Sequence, residues 1–145
     1  MLTQDSVYSL YVHLPAEGSP TPPEIEQNPK LYPFLKDCLG ALDGTHIYAS
    51  VPAEDRARFR NRKGFISQNV LAVCDFNMIF VYVVTGWEGS AADSVVLEDA
   101  RLNDFRIPSG KFYLGDAGFP LSDSVLVPYR GVRYHLREWG AANVK

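Results

Sequence analysis

The stretch Gly40-Ala41-Leu42-Asp43-Gly44-Thr45-His46 decides the fold, because it reads as an apolar strand interrupted by one carboxylate. An acid buried in such a strand costs free energy unless something compensates it. The strand extends from Leu39 to Val51, holding Asp43 and continuing through the alternating Ile47, Ala49 and Val51. A second acid stands in a matching setting in Tyr113-Leu114-Gly115-Asp116-Ala117-Gly118. Two carboxylates, each at the end of an apolar run and followed by a small residue, suit a divalent cation, since Mg²⁺ takes carboxylate oxygens together with water and substrate phosphates. Taken singly, each Asp also reads as a turn residue, because Asp-Gly is a common hairpin signal.

Outward from Asp43, the pattern gives an order of strand, strand, strand, helix, strand. Gln68 to Phe76 and Met78 to Val84 are β-rich runs that Asn77 joins as a tight hairpin. Ser90 to Leu102 carries apolar residues at Val95, Val96, Ala100 and, less regularly, Leu97 and Leu102, which suits an amphipathic helix packed on the sheet. Lys111 to Ala117 reads as the strand bearing Asp116, and Ser124 to Pro128 as a short last strand. The fold class expected is α/β: a mixed sheet of three antiparallel strands, a helix, then a strand parallel to the first, with helices packed on it. A helical crossover returns the later strand beside the first and sets Asp43 and Asp116 side by side.

Residues 1–33 read as a separate lead-in. The prolines from Pro15 to Pro33 disfavour a regular helix or central strand, so this segment is expected to be extended, and Tyr8 to Leu14 before it is a short amphipathic stretch that packs on the domain or belongs to an upstream unit. His13 there reads as a surface residue. Residues 34–145 form the one main domain, as the 145-residue length allows. The net charge of −3 argues against holding nucleic acid by bulk electrostatics, so any such contact must be local. Two cysteines, Cys38 and Cys74, are too few for a disulfide scaffold and lack zinc-site spacing, which predicts a reducing, intracellular setting and two small buried hydrophobes. No apolar stretch approaches the roughly 18 residues that span a bilayer, so a soluble chain with no membrane partner is expected.

Three further constellations carry chemistry. Ser90-Ala91-Ala92-Asp93 is a capping-box pattern with Ser90 as N-cap, and Asp93 could supply a third carboxylate to the same cation. Arg56, Arg58, Arg60, Arg62 and Lys63 form a dense basic run with Phe59 and Phe65, lying between the first two strands. It is either a solvated face or an arm that meets phosphates, with Arg130, Arg133 and Arg137 extending the same surface. His46, three residues after Asp43, points to the opposite face as a half-buried strand residue. Trp87 anchors the turn before the helix, and Tyr129-Arg130-Gly131 reads as a loop closing the sheet.

Four segments in order carry a family likeness: Gly40 to His46, Arg60-Asn61-Arg62-Lys63-Gly64, Gly86-Trp87-Glu88-Gly89-Ser90-Ala91-Ala92-Asp93-Ser94, and Tyr113 to Pro120. They resemble the DDE domain of PIF/Harbinger-type transposases and their domesticated nuclease-like relatives, over about Phe34 to Glu138. The resemblance implies a ribonuclease-H-like fold and metal-dependent phosphodiester chemistry on DNA, in the nucleus. It implies that Asp43 and Asp116 hold two divalent ions (Mg²⁺ or Mn²⁺), one activating the attacking water or hydroxyl and the other stabilising the leaving oxygen. Asp93, matching the family's Gly-Ser-x-x-Asp-Ser motif, is implied as an auxiliary metal ligand.

The family's third catalytic acid is a Glu on a later helix in a basic context, and no matching segment occurs before Lys145. Glu138, in Leu136-Arg137-Glu138-Trp139-Gly140, precedes the expected helix. The expectation is therefore a C-terminally truncated domain without the family's upstream DNA-binding helices, impaired in catalysis unless Asp93, a separate DNA-binding protein or a second copy completes it. The competing reading is an inactive binding or assembly module that keeps the fold, and a weaker one is a relic with no retained role.

Overall fold

A computed structural model describes residues 12–132. Its centre is one five-stranded sheet in the order β3-β2-β1-β4-β5. β1 (Cys38–Tyr48), β2 (Ser67–Cys74) and β3 (Phe80–Glu88) form an antiparallel meander; β4 (Phe112–Leu114) lies parallel to β1, and β5 (Val125–Leu126) parallel to β4. This is the mixed α/β sheet expected from the sequence and the ribonuclease-H-like arrangement that the resemblance implies.

The helix between β3 and β4 provides the crossover. It spans Asp93–Asn103, and is α3 in chain order after the one-turn helices α1 (Pro23–Glu26) and α2 (Arg56–Phe59). Val96, Leu97 and Ala100 bury its inner stripe against Leu42, Leu71, Val73 and Tyr82 of the meander and Phe105, Tyr113, Phe119 and Val125 of the second half. Alternation along β2 explains the match: Asn69, Leu71 and Val73 share one face and are all buried.

Several expected boundaries move. The helix starts at Asp93, and its N-cap is Ala92 with no side-chain capping bond, so Ser90 does not form the expected capping box. The hairpin after β2 is set by Asp75, whose carboxylate accepts the backbone N–H groups of Asn77 and Ile79, with Met78 at φ 62°. Trp87 is a residue of β3, paired with Asn69, not part of the following turn. Cys38 is fully buried as expected, whereas Cys74 is only partly so.

The proline-rich lead-in is not an extended linker. Pro22 and Pro23 stand where a helix start tolerates a missing N–H, and α1 that follows buries Ile25 completely. Leu14 packs on the core and Glu17 accepts the N–H of Ser109. Tyr8 to Tyr11, Arg133, Arg137 and Glu138 lie outside the described residues.

Candidate active site

β1 carries Asp43 to the point where its neighbour β4 stops. β4 pairs with β1 only from Cys38 to Ala41, through a bulge at Gly40, and Asp116 follows two residues after the last residue of β4. Asp116 therefore sits in the loop beyond the strand, not on it. A ligand site just past the carboxyl ends of adjacent parallel strands is the usual outcome of this topology.

Glycine makes the construction possible at two positions. A Cβ on Gly40 would lie 1.9 Å from the carbonyl oxygen of Cys74, so only glycine lets β1 and β2 approach there. A Cβ on Gly44 would lie 2.1 Å from Oδ1 of Asp93. The space left beside Asp43 by its small neighbour is thus filled by the helix-borne acid.

Neither strand-end acid is buried. Asp43 and Asp116 are both exposed, which corrects the expectation of a carboxylate sunk in an apolar strand. Each uses one oxygen locally: Asp43 Oδ1 accepts the N–H of Gly44 at 2.8 Å, and Asp116 Oδ1 accepts that of Gly118 at 2.8 Å. Lost hydration from the adjacent protein raises the Asp43 carboxyl above its ordinary range. The Gly44 N–H opposes that rise, and the negative charges of Asp116 and Asp93 add to it.

Asp93 is held differently. The side-chain N–H of Asn69 donates to Asp93 Oδ1 at 2.7 Å and to the carbonyl of Ala91 at 3.1 Å, tying the start of α3 to β2. Asn69 is 1% exposed, and its own Oδ1 is buried with no hydrogen-bond partner. Sequence reasoning missed Asn69; the available signal was an amide opening the apolar run Val70 to Val73. By strand alternation Asp43 and Gly44 face opposite sides of the sheet, so Asp93, lying against Gly44, approaches β1 from the helix side. Accordingly, among the described residues no group of three His, Cys, Asp or Glu side chains is placed to hold a metal ion.

The basic run forms an arm between β1 and β2, closed by a bridge from Arg60 to Ile66 and by Ala49 N–H to Ile66 O. Asn61, 5% exposed, organises it: its Oδ1 accepts the N–H groups of Lys63 and Phe65, and its amide donates to Ser67 Oγ, which His46 also meets at 3.1 Å. Asn61 is a second residue whose role the sequence reading missed. His46 is exposed rather than half-buried. Arg58 is engaged by Asp55 and Glu88, and Arg60 by Gly64 O, while Arg56, Arg62 and Lys63 are exposed. The arm reaches the helix start through Ser90 N–H to Arg58 O at 3.0 Å. Arg130 is exposed beyond β5, as is Tyr129 at 79%.

Among the described residues no helix is long and apolar enough to cross a membrane. A family model described as DDE superfamily endonuclease matches residues 42–143. "Protein ALP1-like" of Arabidopsis thaliana is 35% identical over 116 residues, covering 67% of this chain and 28% of its own length. "Putative nuclease HARBI1" of Rattus norvegicus is 34% identical over 93 residues, covering 62% of this chain and 27% of its own, and the Homo sapiens protein of that name is 31% identical. The chain thus spans little more than a quarter of the length of these curated relatives. No solved structure matches it.

Proposed function

This chain belongs to the DDE superfamily endonucleases, and from that membership we propose that it is a transposase-derived domain for metal-dependent cleavage of DNA phosphodiester bonds, working in the nucleus. The observation that supports the reading is the placement of Asp43 just past the point where β4 stops pairing with β1 and of Asp116 two residues beyond β4, both acids open to solvent. Like charges brought together repel, and a bound cation removes that cost.

The donor set fits a hard divalent ion. Mg²⁺ is commonly held by one or two carboxylates with water and substrate phosphate completing its shell, so a third protein ligand is not required. Asp43 and Asp116 would hold the ion, each with one oxygen free after its local backbone bond. When bound, such an ion activates the attacking oxygen and stabilises the leaving one. Asp93, fixed by Asn69, supports the site from the helix side and adds negative charge beside Asp43. The arm from Arg56 to Lys63 supplies the phosphate contacts, with Arg56, Arg62 and Lys63 directed to DNA and Arg58 and Arg60 shaping the loop. A second copy or a separate DNA-binding protein would complete the assembly on its target.

The test is nicking of supercoiled plasmid by the purified chain with Mg²⁺ or Mn²⁺, beside Asp43→Asn and Asp116→Asn. Nicking by the parent that falls about 100-fold or more in each variant supports the proposal. No nicking by a folded parent overturns it and leaves an inactive binding or assembly module.

A further inference from the structure

The far end of β1 carries an aromatic pair that the acid site does not use. Tyr48, the last residue of β1, is 77% exposed, and its ring lies 4.5 Å from that of Phe65, centroid to centroid, at 34°. His46 meets the other edge of Phe65 at 6.4 Å in a T-shaped contact. Phe65 leaves the turn that Asn61 holds together, and Arg62 and Lys63, three and two residues before it, are exposed and form no ion pair in the described structure. A broad ring face open to water therefore stands beside free positive charge.

We infer that Tyr48 and Phe65 form a stacking platform for an unpaired base of a DNA strand whose phosphates are held by Arg62 and Lys63. The inference rests on the reading of DNA as substrate and adds the form that the DNA takes. In a duplex both faces of each base are covered by its neighbours, so a protein ring can stack only on a base that is turned out or single-stranded. Cations on the same turn track the backbone without reading sequence. Tyr48 lies five residues along β1 from Asp43, or about 16 Å at roughly 3.3 Å per residue.

The experiment measures binding of the full chain to a labelled oligothymidylate and to a duplex of the same length, about 20 nucleotides, by fluorescence anisotropy without divalent ions. Tyr48→Leu is expected to weaken single-strand binding about tenfold and duplex binding less than about twofold, while Tyr48→Phe keeps the parent affinity for both. Paired Arg62→Glu and Lys63→Glu substitutions should weaken binding to both DNAs. As a direct readout, Tyr48→Trp should lose fluorescence when oligothymidylate is added and not when duplex is added. Equal single-strand affinity for parent and Tyr48→Leu, with loss only in the charge-reversed protein, overturns the platform and leaves the DNA reading intact. Unchanged binding in all variants overturns both.

Discussion

The two halves of β1 differ in almost every respect. From Cys38 to Leu42 the strand is almost wholly buried, pairing with parallel β4 up to Ala41 and with antiparallel β2 from Ala41 on; from Asp43 to Tyr48 only β2 remains and nearly every residue is exposed. The difference follows from the three-residue length of β4. A short neighbour converts the middle of a sheet into an edge partway along one strand. The first half thus fixes where the second half begins, and Asp43, two residues past the last pair with β4, is the first exposed residue. Burial resides in one half and the exposed acid in the other.

Substitutions that respect or violate this division should separate sharply. The largest effect is expected at Gly40, in the buried half. Gly40→Ala forces a methyl group into the Cys74 carbonyl, a clash between backbones that no side-chain rotation relieves. A loss of about 3 kcal/mol or more in urea unfolding is expected, and a variant as stable as the parent would break the comparison.

Next is Asn69, which lies under the helix but serves the exposed half. Asn69→Ala leaves the Asp93 carboxylate and the Ala91 carbonyl without their donor while also removing the unpartnered Oδ1. The two effects oppose each other, so a net loss of about 1–2 kcal/mol is expected, together with slower nicking. Thermal unfolding and plasmid nicking measured on the same preparation check both.

The smallest effect is expected at Asp43 and has the opposite sign. Its carboxyl is raised in the folded state, so its contribution favours the fold at acid pH and is lost as pH rises through the folded value. At pH 7, with chelator present, the charged Asp43 penalises the fold. Asp43→Asn should therefore stabilise it by a few tenths to about 1 kcal/mol. The gain should shrink as pH falls and vanish well below about pH 3.9, where both states are protonated, and Mg²⁺ should raise the melting temperature of the parent but not of the variant. A variant that melts below the parent with chelator at pH 7 would contradict the charge crowding.

Much of this was legible in the residues. The three β-runs, the helix and the return of a parallel strand follow from hydrophobic period, because each element must bury one face. The acids were visible for the same reason, as breaks in that pattern. What the pattern did not carry was the length of β4. Lys111 to Ala117 is apolar enough for a longer strand, yet Gly115 packs tightly against Val125, Phe119 and Leu42, and the chain turns there, leaving Asp116 in a loop. The burial of Asp43 was misjudged on the same account, since a strand with one neighbour missing is open on that side. Asn69 and Asn61 were overlooked because an amide that fastens one segment to another has no periodic signature; its meaning appears only when its partners, 24 and six residues away, are in place.

The order β3-β2-β1-β4-β5 also has a temporal reading. Consecutive strands β1, β2 and β3 can pair through connections local in sequence, whereas β4 must wait for α3 to carry the chain across, so the β1–β4 contact spans the widest gap and closes late. The loop after β4 brings the second carboxylate, which makes the acid pair a property of the finished sheet.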